Sequence, residues 1–206
     1  VKAVLFDLDG TLLDSSQAVR ASFNQALREA GLPEASEREF LAGFGRDAET
    51  WLAEVRPDGD ARKMAKRANA LFAREFLPTL AKPYPGAVAC LEALHGKFKL
   101  GVVTNQALEE FDSARAVLGF NGFDAIVTRS QVARPKPDPE MLLKALDRFH
   151  VSPAQAAFVG DSATDAAAGD AAGVRTLLVE RAWNKNIDVE KTTLEKLPSL
   201  FIRKRA

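Results

Sequence analysis

The sequence predicts an α/β fold: a parallel sheet with helices on both faces, carrying a small helical insert. Three observations predict it. The chain opens with an uninterrupted apolar run, Val4-Leu5-Phe6, of the kind a strand shows when both its faces are covered. About seventy residues of helical periodicity without a strand signal follow. From Gly86 onward short apolar strands alternate with helical patterns, which is the signature of a parallel sheet.

Taken in order, the first strand runs into Asp7-Leu8-Asp9-Gly10-Thr11. Gly10 allows a sharp turn, which puts Asp7 and Asp9 at the carboxyl end of the strand, where open α/β sheets bind ligands. Two carboxylates this close repel one another unless a cation or a shared proton relieves them. Val19, Phe23, Leu27 and Ala30 recur at helical spacing and stop at Gly31. Ser36 with Glu39 forms a capping box before Phe40-Leu41, and Asp47 caps a short helix carrying Trp51, Leu52 and Val55. Met64, Ala68, Leu71, Phe72 and Phe76 mark one longer amphipathic helix, closed by Pro78, Pro83 and Pro85. Further strands are expected at Leu100-Val103, Ala125-Thr128, Ala156-Val159 and Arg175-Val179. The helices between them are expected at Ala87-Leu94, Leu108-Leu118, Pro139-Phe149 and Thr164-Ala172. Residues Lys196 to Ala206, ending in Arg203-Lys204-Arg205, read as a frayed, solvated tail.

Composition narrows the function. The chain has 206 residues, with 28 basic and 28 acidic side chains balancing to zero. That argues against a nucleic-acid or anionic membrane surface as partner. Cys90 is the single cysteine, so no internal disulfide or cysteine zinc cage can form, and its helical context reads as a buried, inert thiol. No apolar stretch reaches transmembrane length, and the N-terminal segment reads as a strand, not a signal peptide; the expected location is the cytoplasm. His95 and His150 fall near predicted helix ends and read as dipole partners, not catalysts. An EF-hand would need further oxygen ligands where Leu12 and Leu13 stand, and no Walker-type phosphate loop occurs.

Four segments in order resemble the motifs of the haloacid-dehalogenase-like (HAD) hydrolase superfamily. Asp7-Leu8-Asp9-Gly10-Thr11 is similar to the first motif, and Lys99-Leu100-Gly101-Val102-Val103-Thr104-Asn105 to the second. Arg134-Pro135-Lys136-Pro137-Asp138-Pro139 is similar to the motif-three lysine segment, and Ala157-Phe158-Val159-Gly160-Asp161-Ser162 with Asp165 to the acidic fourth motif. The resemblance spans essentially the whole chain. It implies a Rossmann-like core of residues 1–13 and 84–206 and an α-helical cap of residues 14–83.

The resemblance further implies a Mg²⁺-dependent phosphatase acting through an aspartyl-phosphate. Asp7 would be the nucleophile and Asp9 the acid and base. Mg²⁺ would be held by the Asp7 carboxylate, the Asp9 main-chain carbonyl and Asp161, with Asp165 ligating or orienting through water. Thr104, Lys136 and Asn105 would hold phosphate oxygens. Arg46, between Gly43-Phe44-Gly45 and Asp47, is the cap residue expected to reach the non-phosphate end of the substrate. Asp9 disfavours dehalogenation and phosphonate hydrolysis, whose enzymes lack that carboxylate. Val19, where β-phosphoglucomutase-like members carry a histidine, and Gly160, where they typically carry a glutamate, disfavour a mutase. Asp14-Ser15-Ser16-Gln17-Ala18-Val19 most resembles phosphoglycolate-phosphatase-like members. The expected partner is therefore a small phosphorylated metabolite, phosphoglycolate first, with a sugar phosphate, nucleotide or pyrophosphate as alternatives. A non-catalytic binding protein that keeps the fold is the reading from a different class. Expected assembly is a monomer or homodimer.

Overall fold

The structure, a computed structural model, describes residues 1–43 and 46–202. Six parallel strands form the central sheet: β1 (Ala3–Phe6), β4 (Lys99–Thr104), β5 (Ala125–Thr128), β6 (Ala156–Gly160), β7 (Arg175–Val179) and β8 (Lys191–Thr192). Their order is β5-β4-β1-β6-β7-β8. The chain builds outward from β1 on one side, then returns to build on the other. This reversal opens a crevice beyond the carboxyl ends of β1, β4 and β6.

Strand β1 is buried on both faces, and its period-2 alternation sorts the core. Val4 and Phe6 join Leu91 and Leu94 of α6 (Ala87–Leu94), Phe111 of α7 (Leu108–Leu118) and Leu197 on one side. Ala3 and Leu5 join Met141, Leu142 and Leu146 of α8 (Glu140–Phe149) and Ala168 of α9 (Ala163–Ala172) on the other. His95 and His150 cap the carboxyl ends of α6 and α8.

The insert leaves and rejoins the sheet through a two-strand antiparallel pair, β2 (Leu13–Asp14) with β3 (Lys82–Pro83). Between them lie α1 (Ser16–Glu29), α2 (Glu37–Gly43), α3 (Ala48–Val55), α4 (Ala61–Leu71) and α5 (Leu77–Leu80). Ser36 and Glu39 exchange the expected capping hydrogen bonds, and Asp47 accepts from the Thr50 N–H at 2.9 Å. The insert has its own apolar centre, made of Leu27, Trp51, Leu52 and Met64, with Phe23 edge-on to Trp51 at 5.0 Å. Ala18, Phe72 and Leu77 belong instead to the cluster beneath the sheet.

Three expectations needed correction. The long helix expected through Phe76 changes register: Phe72–Phe76 is a π-helical turn, with the Leu77 N–H donating to Phe72 O. Pro78 explains the change, since it has no N–H for the next α-helical bond. The hydroxyl of Thr79 donates to Glu75 O at 2.7 Å. The tail is not wholly frayed: Leu197–Phe201 is helix α10, and Leu197 is buried, because Phe201 and Ile202 also find the apolar cluster under the sheet. Arg203 to Arg205 lie outside the described residues. The two-residue strands β2, β3 and β8 were too short to leave a periodic signal. Among the described residues no helix is long and apolar enough to cross a membrane.

Candidate active site

Asp7 follows β1 directly, its N–H donating to Val159 O at 2.8 Å, so its side chain emerges at the crevice between β4 and β6. Gly10 then adopts φ +80°, and a Cβ there would collide with the Asp161 carboxylate. Glycine is required both for the turn and for this close approach. The expected cluster assembles around Lys136. Its ammonium, with a side chain only 3 % exposed, donates to Asp7 Oδ1 and to Asp165 Oδ1, each at 2.7 Å.

The lysine loop is pinned by Asn105. The Asn105 amide donates to Lys136 O at 3.0 Å and accepts from the Lys136 N–H at 3.1 Å. Both ends of that amide are thus spent on the main chain. Thr104, at the end of β4, is buried, and its hydroxyl accepts from the Gln106 N–H at 3.2 Å.

Asp161 and Asp165 follow β6. Ser162 is the N-cap of α9, and Asp165 is its reciprocal partner three residues on. Asp165 Oδ2 accepts from the Asp161 N–H, the Ser162 N–H and the Ser162 hydroxyl, the last at 2.6 Å. Asp161 is oriented from both sides, accepting from Thr11 Oγ1 at 2.9 Å and from Trp183 Nε1 at 2.8 Å. Asn184 holds the Asp161 carbonyl at 2.8 Å. Arg181 lies over the Tyr84 ring at 3.6 Å and donates to Gly10 O and Thr11 O, tying the loop after β7 to the turn after β1.

Oxygens of Asp7, Asp161 and Asp165 lie within 4.8 Å of one another. These three buried carboxylates face one ammonium, so negative charge is left uncompensated in a desolvated place. Burial accordingly pushes Asp7 up to about 7 despite Lys136, and raises Asp161 well above the usual carboxylate range, with Asp165 and Asp7 adding to the effect. Burial alone would lower Lys136, but Asp165 and Asp7 hold it above its ordinary value. An all-oxygen, anionic donor set with unbalanced charge fits a hard divalent cation such as Mg²⁺.

Asp9 stands apart from that trio. Its Oδ2 accepts from Gln106 Nε2 at 2.7 Å, and burial raises its carboxyl against the opposing pull of the Ser15 hydroxyl and the Gln106 amide. Both aspartates open onto a cleft of about 190 Å³ between sheet and insert, whose upper wall includes Val19, Phe23, Phe40, Trp51 and Phe72. Arg46 lines this cleft with its guanidinium held bidentately by Glu54, at 2.9 and 2.5 Å. Phe44 and Gly45, the other half of the expected substrate loop, lie outside the described residues.

Sequence reasoning missed Gln106, Arg181, Trp183 and Asn184. Gln106 immediately follows the Thr104-Asn105 pair, and the other three follow the carboxyl end of β7, so position alone could have raised them.

The comparisons agree with this geometry. Residues 4–179 match the profile of the haloacid dehalogenase-like hydrolase family. A phosphoglycolate phosphatase of Nitrosospira multiformis is 35% identical, over 98% of this chain and 93% of its own length. A pyrophosphatase of Bacillus pumilus is 30% identical, over 99% of this chain and 93% of its own length. Among solved structures, a HAD-superfamily hydrolase of Geobacter sulfurreducens superposes with a TM-score of 0.76 at 29% identity, covering 97% of this chain and 96% of that one. A shared profile across most of the chain, full-length relatives and an acidic crevice at the sheet's switch point lead to one conclusion: the chain belongs to the haloacid dehalogenase-like hydrolase family.

Proposed function

We propose that the protein is a Mg²⁺-dependent phosphatase for a small phosphorylated metabolite, with phosphoglycolate favoured. The observation that carries this reading is the Lys136 ammonium shared by Asp7 and Asp165 beside Asp161, with Asp9 two residues from Asp7 in the same cleft. Asp7 attacks phosphorus in line; the bond to the ester oxygen breaks with its electron pair on that oxygen, which takes a proton from Asp9. Water then gives a proton to Asp9 and attacks the aspartyl-phosphate. The bond to Asp7 breaks, restoring its carboxylate and releasing phosphate.

Lys136, whose ammonium already holds Asp7, fixes the nucleophile and contributes positive charge to phosphate oxygens. Thr104 offers them a hydroxyl, and the part of Asn105 narrows to pinning the lysine loop. Asp7, Asp161 and the Asp9 carbonyl would hold Mg²⁺, which when bound screens the repulsion between carboxylate and phosphate dianion. Asp165, with Oδ1 on Lys136 and Oδ2 on the α9 cap, fits orientation through water better than direct ligation. The helices between residues 14 and 83 act as a cap that excludes water, with Arg46 leaving Glu54 to meet the substrate's carboxylate.

The pyrophosphatase relative supports pyrophosphate as the second reading. Phosphate release from phosphoglycolate, sugar phosphates, nucleotides and pyrophosphate, with Mg²⁺ and with EDTA, tests both. Asp7→Asn should remove turnover by orders of magnitude while the protein stays folded. Near wild-type activity in that variant, or indifference to EDTA, would overturn the scheme.

A further inference from the structure

Gln106 is 5 % exposed, and its backbone is fixed on both sides. Its N–H donates to Thr104 Oγ1 at 3.2 Å, and its carbonyl accepts from the Arg129 N–H at 3.0 Å. From that anchored turn its side chain reaches the turn after the neighbouring strand β1 and donates to Asp9 Oδ2 at 2.7 Å. Two other carboxylates of the site are held by more than one donor each: Asp161 by Thr11 and Trp183, Asp165 by Lys136 and Ser162. Lys136 spends its hydrogen bonds on Asp7 and Asp165, not on Asp9. Among the described residues Asp9 Oδ1 and Gln106 Oε1 are buried without a close hydrogen-bond partner, as is the Ser15 hydroxyl, the other side-chain group that favours the ionised Asp9 carboxyl. Buried polar atoms are nearly always paired, so an orphaned carboxylate oxygen lining a cleft signals a task in the reaction.

We propose that Gln106 is the positioning residue for Asp9, an inference that rests on the phosphatase reading above. Its amide N–H occupies Oδ2 and fixes the carboxyl plane, which leaves Oδ1 to exchange the proton with the leaving oxygen and with water. A neutral amide sets this direction without adding a second cation to the site. Gln106 touches neither phosphorus nor the leaving group in this scheme; it acts through Asp9 alone.

The test uses full-length protein with Mg²⁺ and two substrates, p-nitrophenyl phosphate, whose leaving group needs little protonation, and phosphoglycolate, an alkyl ester that needs it. Gln106→Leu keeps volume and removes the donor; Gln106→Glu puts an acceptor against an acceptor. Because a catalytic group misplaced by about 1 Å can lose about 10²-fold, Gln106→Leu should lower kcat on phosphoglycolate roughly ten- to a hundredfold. Its kcat on p-nitrophenyl phosphate should fall less than about threefold, and neither KM should move more than about threefold, since only proton transfer is affected. In an Asp9→Asn background the same substitution should cost nothing further, because its route of action is gone.

Equal kcat losses on both substrates, or an undiminished loss in the Asp9→Asn background, would overturn the positioning role while the phosphatase reading stands. A melting temperature of Gln106→Leu far below wild type would move the comparison to Gln106→Glu, where the same split between substrates is required. Wild-type protein inactive on both esters would overturn the phosphatase reading, and this proposal with it.

Discussion

Replacing Lys136 by methionine probes the charge balance on which the site rests. Each 2.7 Å contact to Asp7 and Asp165 has a gross attraction of about 6 kcal/mol at an effective dielectric of about 20. Most of that is offset by the desolvation of an ammonium whose side chain is 3 % exposed. What the variant loses is the difference: three mutually close carboxylates remain, with no cation among them. Breaking a buried pair by removing one partner costs about 3–5 kcal/mol. At about 2–4 °C per kcal/mol for a chain of this size, melting should fall by about 6–20 °C in EDTA. Protonation offers the orphaned carboxylates an escape, so the deficit should shrink between pH 8 and pH 5.5. Mg²⁺ offers another, and it should raise the melting temperature of Lys136→Met more than that of wild type. Circular-dichroism melts of both proteins, with EDTA and with Mg²⁺ at the two pH values, supply the comparison. A variant that melts with wild type in EDTA, or whose response to Mg²⁺ is no larger, would refute the claim that this lysine balances the trio.

The remaining predictions address the surroundings of that trio. Trp183→Phe keeps an aromatic ring but removes the N–H on Asp161 Oδ2, and Mg²⁺ affinity measured by calorimetry should fall about tenfold; unchanged affinity would remove Trp183 from the site. In EDTA, Asp7 at about 7 against 3.8 unfolded makes the folded state bind more protons between those values. Stability should therefore rise as pH drops from about 7 toward 4, and Asp161 and Asp9, also raised, act with the same sign. Melts that are flat or reversed across that window would contradict the burial argument. Arg46→Ala should leave stability within about 1 kcal/mol, because its pair with Glu54 is exposed. It should raise KM for phosphoglycolate about tenfold or more, since a charge-assisted contact is worth about 1.5–3 kcal/mol, and p-nitrophenyl phosphate should respond far less. If both substrates respond alike, the anchor lies elsewhere in the cap.

The core of the fold was legible because its strands are buried on both faces and its helices end at strong signals. Ala87–Leu94, Leu108–Leu118, Ala125–Thr128 and Arg175–Val179 coincide with their sequence limits. What escaped was either too short for a period to repeat, as with Lys191–Thr192, or decided by packing, as with Leu197–Phe201. Charged residues on either side of that segment, Glu195, Lys196 and Arg203, masked its apolar face. The π-helical turn at Phe72–Phe76 was hidden for another reason: its cause, Pro78, lies beyond it, and an apolar pattern cannot distinguish neighbouring helical registers.

Within the site, legibility followed the separation of interacting partners. Ser36 with Glu39, Asp47 with Thr50 and Ser162 with Asp165 are pairs three residues apart, and backbone geometry alone brings such side chains together. The cap pair at Asp165 was thus foreseeable from its spacing alone. Gln106 with Asp9 spans 97 residues, Thr11 with Asp161 spans 150, and Trp183 with Asp161 spans 22. No local rule joins them; strand order does. Once β4 and β6 flank β1, the turns after all three strands converge, and each polar side chain on them must find a partner or remain costly. Asp7, Thr104 and Asp161 could be named because each ends or directly follows a strand. The side chains that orient them could not, because which turn faces which is settled only by the order β5-β4-β1-β6-β7-β8. The same topology explains why Asp9 depends on a residue of the turn after β4. Its own segment leaves at once for the helical insert, and the amide of Gln106 reaches its carboxylate at 2.7 Å from the turn after the neighbouring strand.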